Sequence, residues 1–245
     1  MEAVILAAGK GSRMGDLTKD IPKAMLPVLD KPHLENILDE LKTANVKKVV
    51  IVTHHLEEVI KNHFGYEYGG MELVYVHQNE LNGDADALSY AEPFITESFF
   101  YLMACDNWFQ PGTLHEIRAK QQETGANGVL GVSFTYKNDA KKKGVLEFYD
   151  ELERADKIRR IVEKSDDPPS LIHNVFVMYM SREIFRVCNE GLQTQRTGEY
   201  RVTDCINKLL SEGKFIDYSF TKIVDIGNPE TYSNSRSLIE EILHQ

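Results

Sequence analysis

Residues 5–14 read ILAAGKGSRM, an apolar run that passes directly into a loop rich in glycine and cationic side chains. Because glycine permits positive φ and close backbone approach, such a loop can turn its N–H groups toward a polyphosphate. Two common phosphate loops do not fit. A Walker A motif needs Gly-Lys-Ser/Thr after a fixed spacing, and the dinucleotide fingerprint needs a third glycine where Met14 stands. The stretch predicts a strand and a phosphate-binding loop, with a plain strand-to-helix turn as the alternative.

Short apolar runs and helical patterns alternate through the first half of the chain. The runs are typical of strands buried on both faces of a sheet, and they stand at residues 49–52, 73–76 and 99–103. Apolar residues at helical spacing predict amphipathic helices over residues 34–41 and 56–64. This alternation predicts parallel strands joined by helical crossovers.

The second half of the chain is less regular and richer in strand patterns. Helices are expected near residues 114–122, 182–187, 202–210 and 238–243, and strands near residues 129–134, 144–148, 160–163 and 175–179. We interpret this half as β-rich insertions on the first sheet. The lysine-rich segment 137–143 predicts a solvated loop rather than a binding patch.

Composition excludes several classes of protein. The 245 residues carry 28 basic and 38 acidic side chains, a formal net charge of −10, which argues against a general nucleic-acid binder but allows a small anionic ligand. No apolar run is long enough to cross a bilayer, and residues 1–6 do not resemble a signal peptide. Cys105, Cys188 and Cys205 are too few and too widely spaced for a disulfide framework or a zinc site. We expect a cytoplasmic protein in a reducing compartment.

A second motif follows the N-terminal loop, because residues 17–28 read LTKDIPKAMLPV. Together the two stretches resemble the signature of sugar-1-phosphate nucleotidylyltransferases, an L-A-x-G-x-G-x-R-M/L loop followed by P-K and L-P-V. The resemblance recurs in order along nearly the whole chain: Gln78 with LNGDADAL at 81–88, CDN at 105–107, Gly144-Val145, VEK at 162–164, Asn174, GEYRVTD at 198–204 and VDIGNPE at 224–230. Eight matches in the family's order are hard to obtain by chance.

The resemblance implies both a fold and a reaction. The expected fold is α/β, a Rossmann-like three-layer αβα arrangement with a mixed, mostly parallel central sheet and β-rich sugar-site insertions. We expect one domain over residues 1–245, with residues 1–110 mainly binding the nucleotide and residues 111–245 mainly the sugar phosphate. In the implied Mg²⁺-dependent reaction, a sugar 1-phosphate oxygen attacks the α-phosphorus of an NTP and expels pyrophosphate. The expected partners are therefore an NTP and a sugar 1-phosphate, with no nucleic acid or membrane, and homo-oligomerisation stays open.

Both reactants are anions, so positioning and cationic stabilisation should supply most of the acceleration. Arg13 suits the pyrophosphate end, because its guanidinium can bind two phosphate oxygens, and Lys23 suits the α-phosphate. Either residue alone could be a surface cation. Asp106 and Asp225 each follow an apolar run and are the expected Mg²⁺ ligands, since this ion prefers one or two carboxylates completed by water and phosphate oxygens. Helix N-caps before Pro111 and Pro229 are the alternative.

The remaining site residues rest mainly on the resemblance. Lys164 is expected at the sugar phosphate, with Glu163, Asn174 and the backbone of Gly144 at the sugar hydroxyls, although Glu-Lys on a strand can be only an exposed sheet edge. Thr203 and Asp204 are left out, because Thr-Asp at a helix start is ordinary capping chemistry. The nucleotide-binding set is Leu6, Ala8, Gly9, Gly11, Gln78 and Gly83.

Gln78 is expected to read the base. Its amide can donate to and accept from a pyrimidine edge that presents neighbouring carbonyl and N–H groups, which favours UTP or dTTP over CTP.

Three positions depart from the family pattern and put the substrate's identity in doubt. Cys105 replaces a glycine, Asp84 replaces a threonine, and Val175-Phe176 replace Ala-Gly, which should make the floor of the sugar pocket bulkier. Three alternatives stay open: a cytidylyl- or guanylyltransferase acting on another sugar phosphate or phosphocholine, a catalytically silent regulatory homologue that binds a nucleotide sugar, and a nicotinamide-dependent oxidoreductase.

Overall fold

The computed structural model describes residues 1–150, 156–190, 199 and 201–244. Short 3₁₀ helices span Ser12–Thr18, Lys23–Met25 and Glu92–Phe94. The strands are β1 (Glu2–Leu6), β2 (Pro27–Val28), β3 (Lys31–Pro32), β4 (Lys48–Thr53), β5 (Glu67–Tyr68), β6 (Met71–His77), β7 (Phe99–Ala104), β8 (Asn107–Phe109), β9 (Gly128–Phe134), β10 (Gly144–Phe148), β11 (Ile158–Glu163), β12 (Ile172–Ser181), β13 (Ile216–Phe220) and β14 (Ile223–Asp225). The α-helices are α1 (His33–Thr43), α2 (Glu57–Phe64), α3 (Asp84–Ser89), α4 (Thr113–Thr124), α5 (Lys137–Ala140), α6 (Ile184–Asn189), α7 (Val202–Ser211), α8 (Pro229–Ser233) and α9 (Ser235–Leu243).

Parallel strands form the centre of the main sheet, in the order β7-β1-β4-β6. All five residues of β1 are buried, as the apolar run predicted. Helix α1 connects β1 to β4 and α2 connects β4 to β6, which is the predicted crossover pattern. The carboxyl ends of β1 and β7 meet at one edge, where open α/β sheets bind their ligands.

Strands from the second half extend the same sheet in an antiparallel sense. Strand β12 pairs antiparallel with β7, β9 and β10, and β11 pairs antiparallel with β10. Strand β13 adds to β9 in parallel. The result is the predicted mixed sheet, in which the insertions build directly on the Rossmann-like centre.

Helices cover both faces of the sheet. Successive side chains of a strand point to opposite faces, so Ala3 and Ile5 pack into one apolar cluster while Val4 and Leu6 pack into another. The first cluster contains the apolar stripe of α1, and the second contains buried residues of α6 and α7. The predicted three-layer αβα fold is confirmed.

A separate two-stranded sheet, β8 with β14, brings a distant part of the chain to the end of β7. Asp225 lies opposite Asn107 in the antiparallel register, and Ile226 N donates to Asp106 O at 3.0 Å. Buried Trp108, Val224 and Ile226 pack against Ile239 of α9 and hold this sheet in place.

The element predictions hold apart from the boundaries and one segment. Strand β12 begins at Ile172 rather than near residue 175, and α6 begins at Ile184 rather than residue 182. Segment 137–143 is not simply a solvated loop, because it contains α5 and places Lys143 Nζ 3.1 Å from His173 Nε2. Among the described residues, no helix is both long and apolar enough to span a membrane.

Candidate active site

A cavity of about 460 Å³ opens at the carboxyl ends of β1 and β7. All the residues predicted to bind the nucleotide line it: Leu6, Ala8, Gly9, Gly11, Gln78 and Gly83. Arg13, Lys23 and Asp106 line it as well. The structure therefore brings the predicted nucleotide residues and three of the four predicted catalytic or metal residues to one cavity.

The loop after β1 owes its shape to Gly11. This residue has φ +65°, a left-handed conformation that costs glycine little, and its carbonyl accepts a hydrogen bond from Thr18 Oγ1 at 3.0 Å. A Cβ at this position would lie 3.0 Å from Thr18 Cγ2. The 3₁₀ segment Ser12–Thr18 follows and carries Arg13 at the cavity.

Lys23 is buried beside the cavity and faces a carboxylate. Its Nζ lies 3.9 Å from Asp106 Oδ2, and only 13% of its side chain is exposed. Burial lowers the pKa of Lys23, while the charges of Asp106 and Asp225 raise it. The arrangement holds a cation inside the cavity, so the surface-cation alternative does not describe Lys23.

Gly227 marks the point where the charged groups meet. A Cβ built on this glycine would lie 2.8 Å from Asp225 Oδ1, 3.2 Å from Lys23 Nζ and 3.7 Å from Arg13 Nη2. Asp225 does not itself line the cavity, but Gly227 does. Three charged side chains from separate segments thus converge around Gly227, which leaves room for them because it has no side chain. The sequence motif contained this glycine, but no role was predicted for it.

Neither aspartate caps a helix, and both are available as candidate Mg²⁺ ligands. Asp225 Oδ1 accepts from Gly227 N at 2.6 Å, whereas the cap of α8 is Asn228, whose side chain accepts from Thr231 N at 3.0 Å. Asp106 precedes β8, so it does not start a helix. Both carboxylates offer the oxygen ligands that Mg²⁺ prefers. The described residues contain no cluster of three or more His, Cys, Asp or Glu side chains that could hold a metal by themselves. A Mg²⁺ ion held by these two carboxylates would therefore complete its coordination with water and phosphate oxygens.

Hydrogen bonds to other parts of the protein fix the side-chain amide of Gln78. Gln78 is 1% exposed, and its Nε2 donates to Asp86 Oδ2 at 2.7 Å and to Gly83 O at 3.2 Å. An amide nitrogen has two N–H donors, so both are used inside the protein. The prediction that this side chain donates a hydrogen bond to the base is therefore wrong. Only its carbonyl oxygen, as an acceptor, is left for a contact with the base.

A second cavity, of about 260 Å³, adjoins the first. All four predicted sugar-phosphate residues line it: Gly144, Glu163, Lys164 and Asn174. Glu163 lies opposite Gly144 in the β10–β11 register and forms an ion pair with Arg201 at 3.4 Å. The two cavities share three lining residues, here called the shared wall: Asp84, Phe176 and Glu199. A molecule that spans both cavities would pass these three residues.

The family comparison agrees with this geometry. The family model described as Nucleotidyl transferase matches residues 2–241. The chain belongs to this family of sugar-1-phosphate nucleotidyltransferases. Similar proteins include UTP--glucose-1-phosphate uridylyltransferase AglF of Haloferax volcanii, 34% identical over 98% of this chain and 97% of the relative, and UTP--glucose-1-phosphate uridylyltransferase of Escherichia coli, 28% identical over 85% and 82%. A solved UDP-glucose pyrophosphorylase complexed with UDP-glucose has the same fold, with a TM-score of 0.86 at 21% identity over 98% of both chains.

Membership of this nucleotidyltransferase family makes the protein an enzyme that forms an NDP-sugar from an NTP and a sugar 1-phosphate. It disfavours the oxidoreductase and the catalytically silent homologue. Three departures from the family pattern now have positions in the structure.

Asp84 is the first departure, and it ties two helices together at the shared wall. It opens α3, and its Oδ1 accepts from Val202 N, the first residue of α7, at 2.7 Å. Burial raises the pKa of Asp84 to about 7, although the hydrogen bond from Val202 N acts in the opposite direction.

Phe176 is the second departure, and it has an unusual backbone. It has φ +56°, within an irregularity of β12 between Asn174 and Met178, and its N–H donates to Asn174 Oδ1 at 3.1 Å. A phenylalanine in the left-handed region is strained, which is more common at functional sites than elsewhere. Its place at both cavities agrees with the predicted bulkier floor.

Cys105, the third departure, both lines the nucleotide cavity and packs into the first core cluster. Burial raises the pKa of its thiol to about 12, so the thiol stays protonated at neutral pH.

Sequence reasoning missed two more residues near the site. Thr203 lines the sugar cavity, and neither its Oγ1 nor Asp204 Oδ2 finds a hydrogen-bond partner in the described structure, so the capping interpretation is wrong. Lys143 points inward and contacts His173. Burial lowers the pKa of Lys143, and the charges of Asp225 and Asp106 act in the opposite direction. A run of lysines gives no signal of which one turns inward.

Proposed function

We propose that this protein is a Mg²⁺-dependent enzyme that transfers a nucleotidyl group from UTP or dTTP to a sugar 1-phosphate, with glucose 1-phosphate as the first candidate. The convergence of Arg13, Lys23 and Asp225 around Gly227, beside Asp106, carries this proposal. The two relatives reported above, both named for UTP and glucose 1-phosphate, support the choice of substrates.

In this proposal, the nucleotide cavity binds the NTP through the loop after β1. Arg13 binds the pyrophosphate end with its guanidinium, which can contact two phosphate oxygens at once. Lys23 stands deeper and neutralises charge at the α-phosphate, where negative charge accumulates as the new bond forms. Lys23 already lies beside Asp106 before the substrate arrives, so its ammonium group needs little reorganisation during the reaction.

Asp106 and Asp225 would hold the Mg²⁺ from two chain segments that β8 and β14 bring together. A bound Mg²⁺ would supply positive charge to the phosphate oxygens and help to orient them. The hydrogen bond from Gly227 N to Asp225 Oδ1 orients this carboxylate, and the amide of Asn107 does the same for Asp106 Oδ1 at 3.2 Å.

The sugar 1-phosphate would occupy the second cavity. Lys164 meets its phosphate, and Glu163 and Asn174 meet its hydroxyls, close to the wall that both cavities share. In this proposal the attacking phosphate oxygen would face the nucleotide cavity. One domain therefore serves both substrates, with residues 1–110 mainly at the nucleotide and residues 111–245 mainly at the sugar phosphate.

A panel of substrates tests the proposal. Pyrophosphate release would be measured with UTP, dTTP, CTP, GTP and ATP, each combined with glucose 1-phosphate or N-acetylglucosamine 1-phosphate in the presence of MgCl₂. We expect the highest kcat/KM with UTP or dTTP, by about 10²-fold over CTP. A clear preference for CTP or GTP would overturn the choice of base and support the cytidylyl or guanylyl alternative, and no release with any pair would overturn the function.

A further inference from the structure

The side-chain amide of Gln78 has one stable orientation. Most amide side chains can be turned by 180° with little change in contacts, so their orientation rests on the surrounding hydrogen bonds. Here Nε2 donates to a carboxylate oxygen of Asp86 at 2.7 Å and to the backbone oxygen of Gly83 at 3.2 Å. The turned amide would place Oε1 against those two oxygens, which are acceptors only, and would lose both bonds.

Asp86 supplies the stronger of these two bonds. A hydrogen bond to a carboxylate is shorter and stronger than one between neutral groups, and the 2.7 Å distance is of that kind. Asp86 lies in the first turn of α3 and does not line the nucleotide cavity, so it acts from behind Gln78. In the part of the chain that the structure describes, Gln78 Oε1 accepts no hydrogen bond.

We propose that Asp86 is a positioning residue that sets the base preference of the enzyme, by fixing Gln78 so that only its carbonyl oxygen is offered to the base. This inference rests on the proposed function of the cavity. The base subsite then requires a ring N–H, which uracil and thymine provide at N3. Cytosine presents a lone pair at its N3, so it would face the Gln78 oxygen with a second acceptor.

Removal of the Asp86 carboxylate should free the amide to turn and to donate as well as accept. Such an amide accommodates either pyrimidine, so discrimination falls without loss of the cavity. Asp86→Ala removes the acceptor and keeps a good helix-forming residue in α3. Asp86→Asn keeps an oxygen that can accept from Nε2 but can itself turn, so its effect should be smaller.

The test is a binding measurement, so it does not depend on turnover. Calorimetry would give the affinities of UDP-glucose and CDP-glucose for the unaltered protein, Asp86→Ala, Asp86→Asn and a control, Glu80→Gln. Glu80 is exposed and does not bond to Gln78, and its substitution removes the same charge from the same region. We expect the unaltered protein and the control to favour UDP-glucose, and Asp86→Ala to reduce that preference about 10-fold or more, with Asp86→Asn between them.

A structural role alone would weaken both ligands by the same factor and leave their ratio unchanged, which would overturn the inference. Equal affinity of the unaltered protein for the two ligands, or no affinity for either, would also overturn it. The proposed function is judged separately by pyrophosphate release. A protein that discriminates the two ligands but releases no pyrophosphate would contradict the function and leave the role of Asp86 intact.

Discussion

Lys23 Nζ lies 3.9 Å from Asp106 Oδ2, which joins a cation from the segment after β1 to a carboxylate at the end of β7. The lysine is the more buried member of the pair, because only 13% of its side chain is exposed to solvent. A buried ammonium group needs such a partner to remain charged.

Lys23→Ala should lower kcat by about 10²–10³ and change KM for the NTP much less, because its contact strengthens as charge develops at the α-phosphate. Steady-state kinetics of pyrophosphate release would measure both constants. The matched control is Lys19→Ala, since Lys19 is an exposed lysine of the neighbouring segment. If Lys23→Ala kept the kcat and KM of the unaltered protein, Lys23 would have no role in stabilising charge at the α-phosphate.

Asp106→Asn and Asp225→Asn should each abolish Mg²⁺-dependent turnover. Each substitution removes a negative charge at nearly constant volume, so the fold should persist while the site loses a metal ligand. Turnover over a range of MgCl₂ concentrations would be compared with that of the unaltered protein, with circular dichroism as the control for folding. Activity within tenfold of the parent in either variant would remove that aspartate from the metal site.

Gly227→Ala should disrupt the charged centre without unfolding the protein. The added Cβ would stand 2.8 Å from Asp225 Oδ1 and 3.2 Å from Lys23 Nζ, so both groups must move. We expect a loss of turnover on the order of 10-fold or more with a small change in melting temperature, because a 1 Å misplacement of a catalytic group is costly. Unchanged kinetics would show that the geometry around Gly227 is not needed.

Asp84 should give stability a specific pH dependence. Its pKa rises from 3.8 in the unfolded chain to about 7 in the folded protein. Between these two pH values the carboxyl group is therefore protonated in the folded protein and ionised in the unfolded chain. This group therefore costs stability as the pH increases from about 4 to about 7. We expect Asp84→Asn to raise the melting temperature relative to the parent at pH 8 and to have a smaller effect at pH 5. An identical shift at both pH values would contradict the assignment.

Phe176→Gly should change the choice of sugar. Glycine adopts φ +56° without strain, and the substitution opens the wall that the two cavities share. We expect the ratio of kcat/KM for N-acetylglucosamine 1-phosphate to that for glucose 1-phosphate to increase at least about 10-fold. An unchanged ratio in a folded variant would mean that Phe176 does not limit the sugar pocket.

The strands and helices of the fold were predictable because buried strands and amphipathic helices leave local patterns in the sequence. Apolar runs such as β1 and the helical spacing of α1 reflect burial, and burial decides where these elements lie. Arg13, Lys23 and Asp106 were selected through the family resemblance, because a single cation or carboxylate gives no local signal of its role. The structure brings all three to one cavity.

The errors concern contacts between segments that are far apart in sequence. Neither the inward position of Lys143 nor the convergence on Gly227 follows from a local pattern, because each depends on a side chain more than 25 residues away. Asp86 lies eight residues from Gln78, but only the turn at Gly83 reveals which donors of the amide are used. The capping interpretation of Thr203 and Asp204 took no account of the sugar cavity, which Thr203 lines.

The fate of the α-phosphorus tests the central claim most directly. The unaltered protein would be incubated with glucose 1-phosphate, MgCl₂ and UTP labelled either at the α- or at the γ-phosphorus, and the products would be separated. Nucleotidyl transfer predicts that the α label appears in the nucleotide sugar and the γ label in pyrophosphate, in equal amounts. The γ label in a sugar bisphosphate or in free phosphate, with no α label in a nucleotide sugar, would contradict the account.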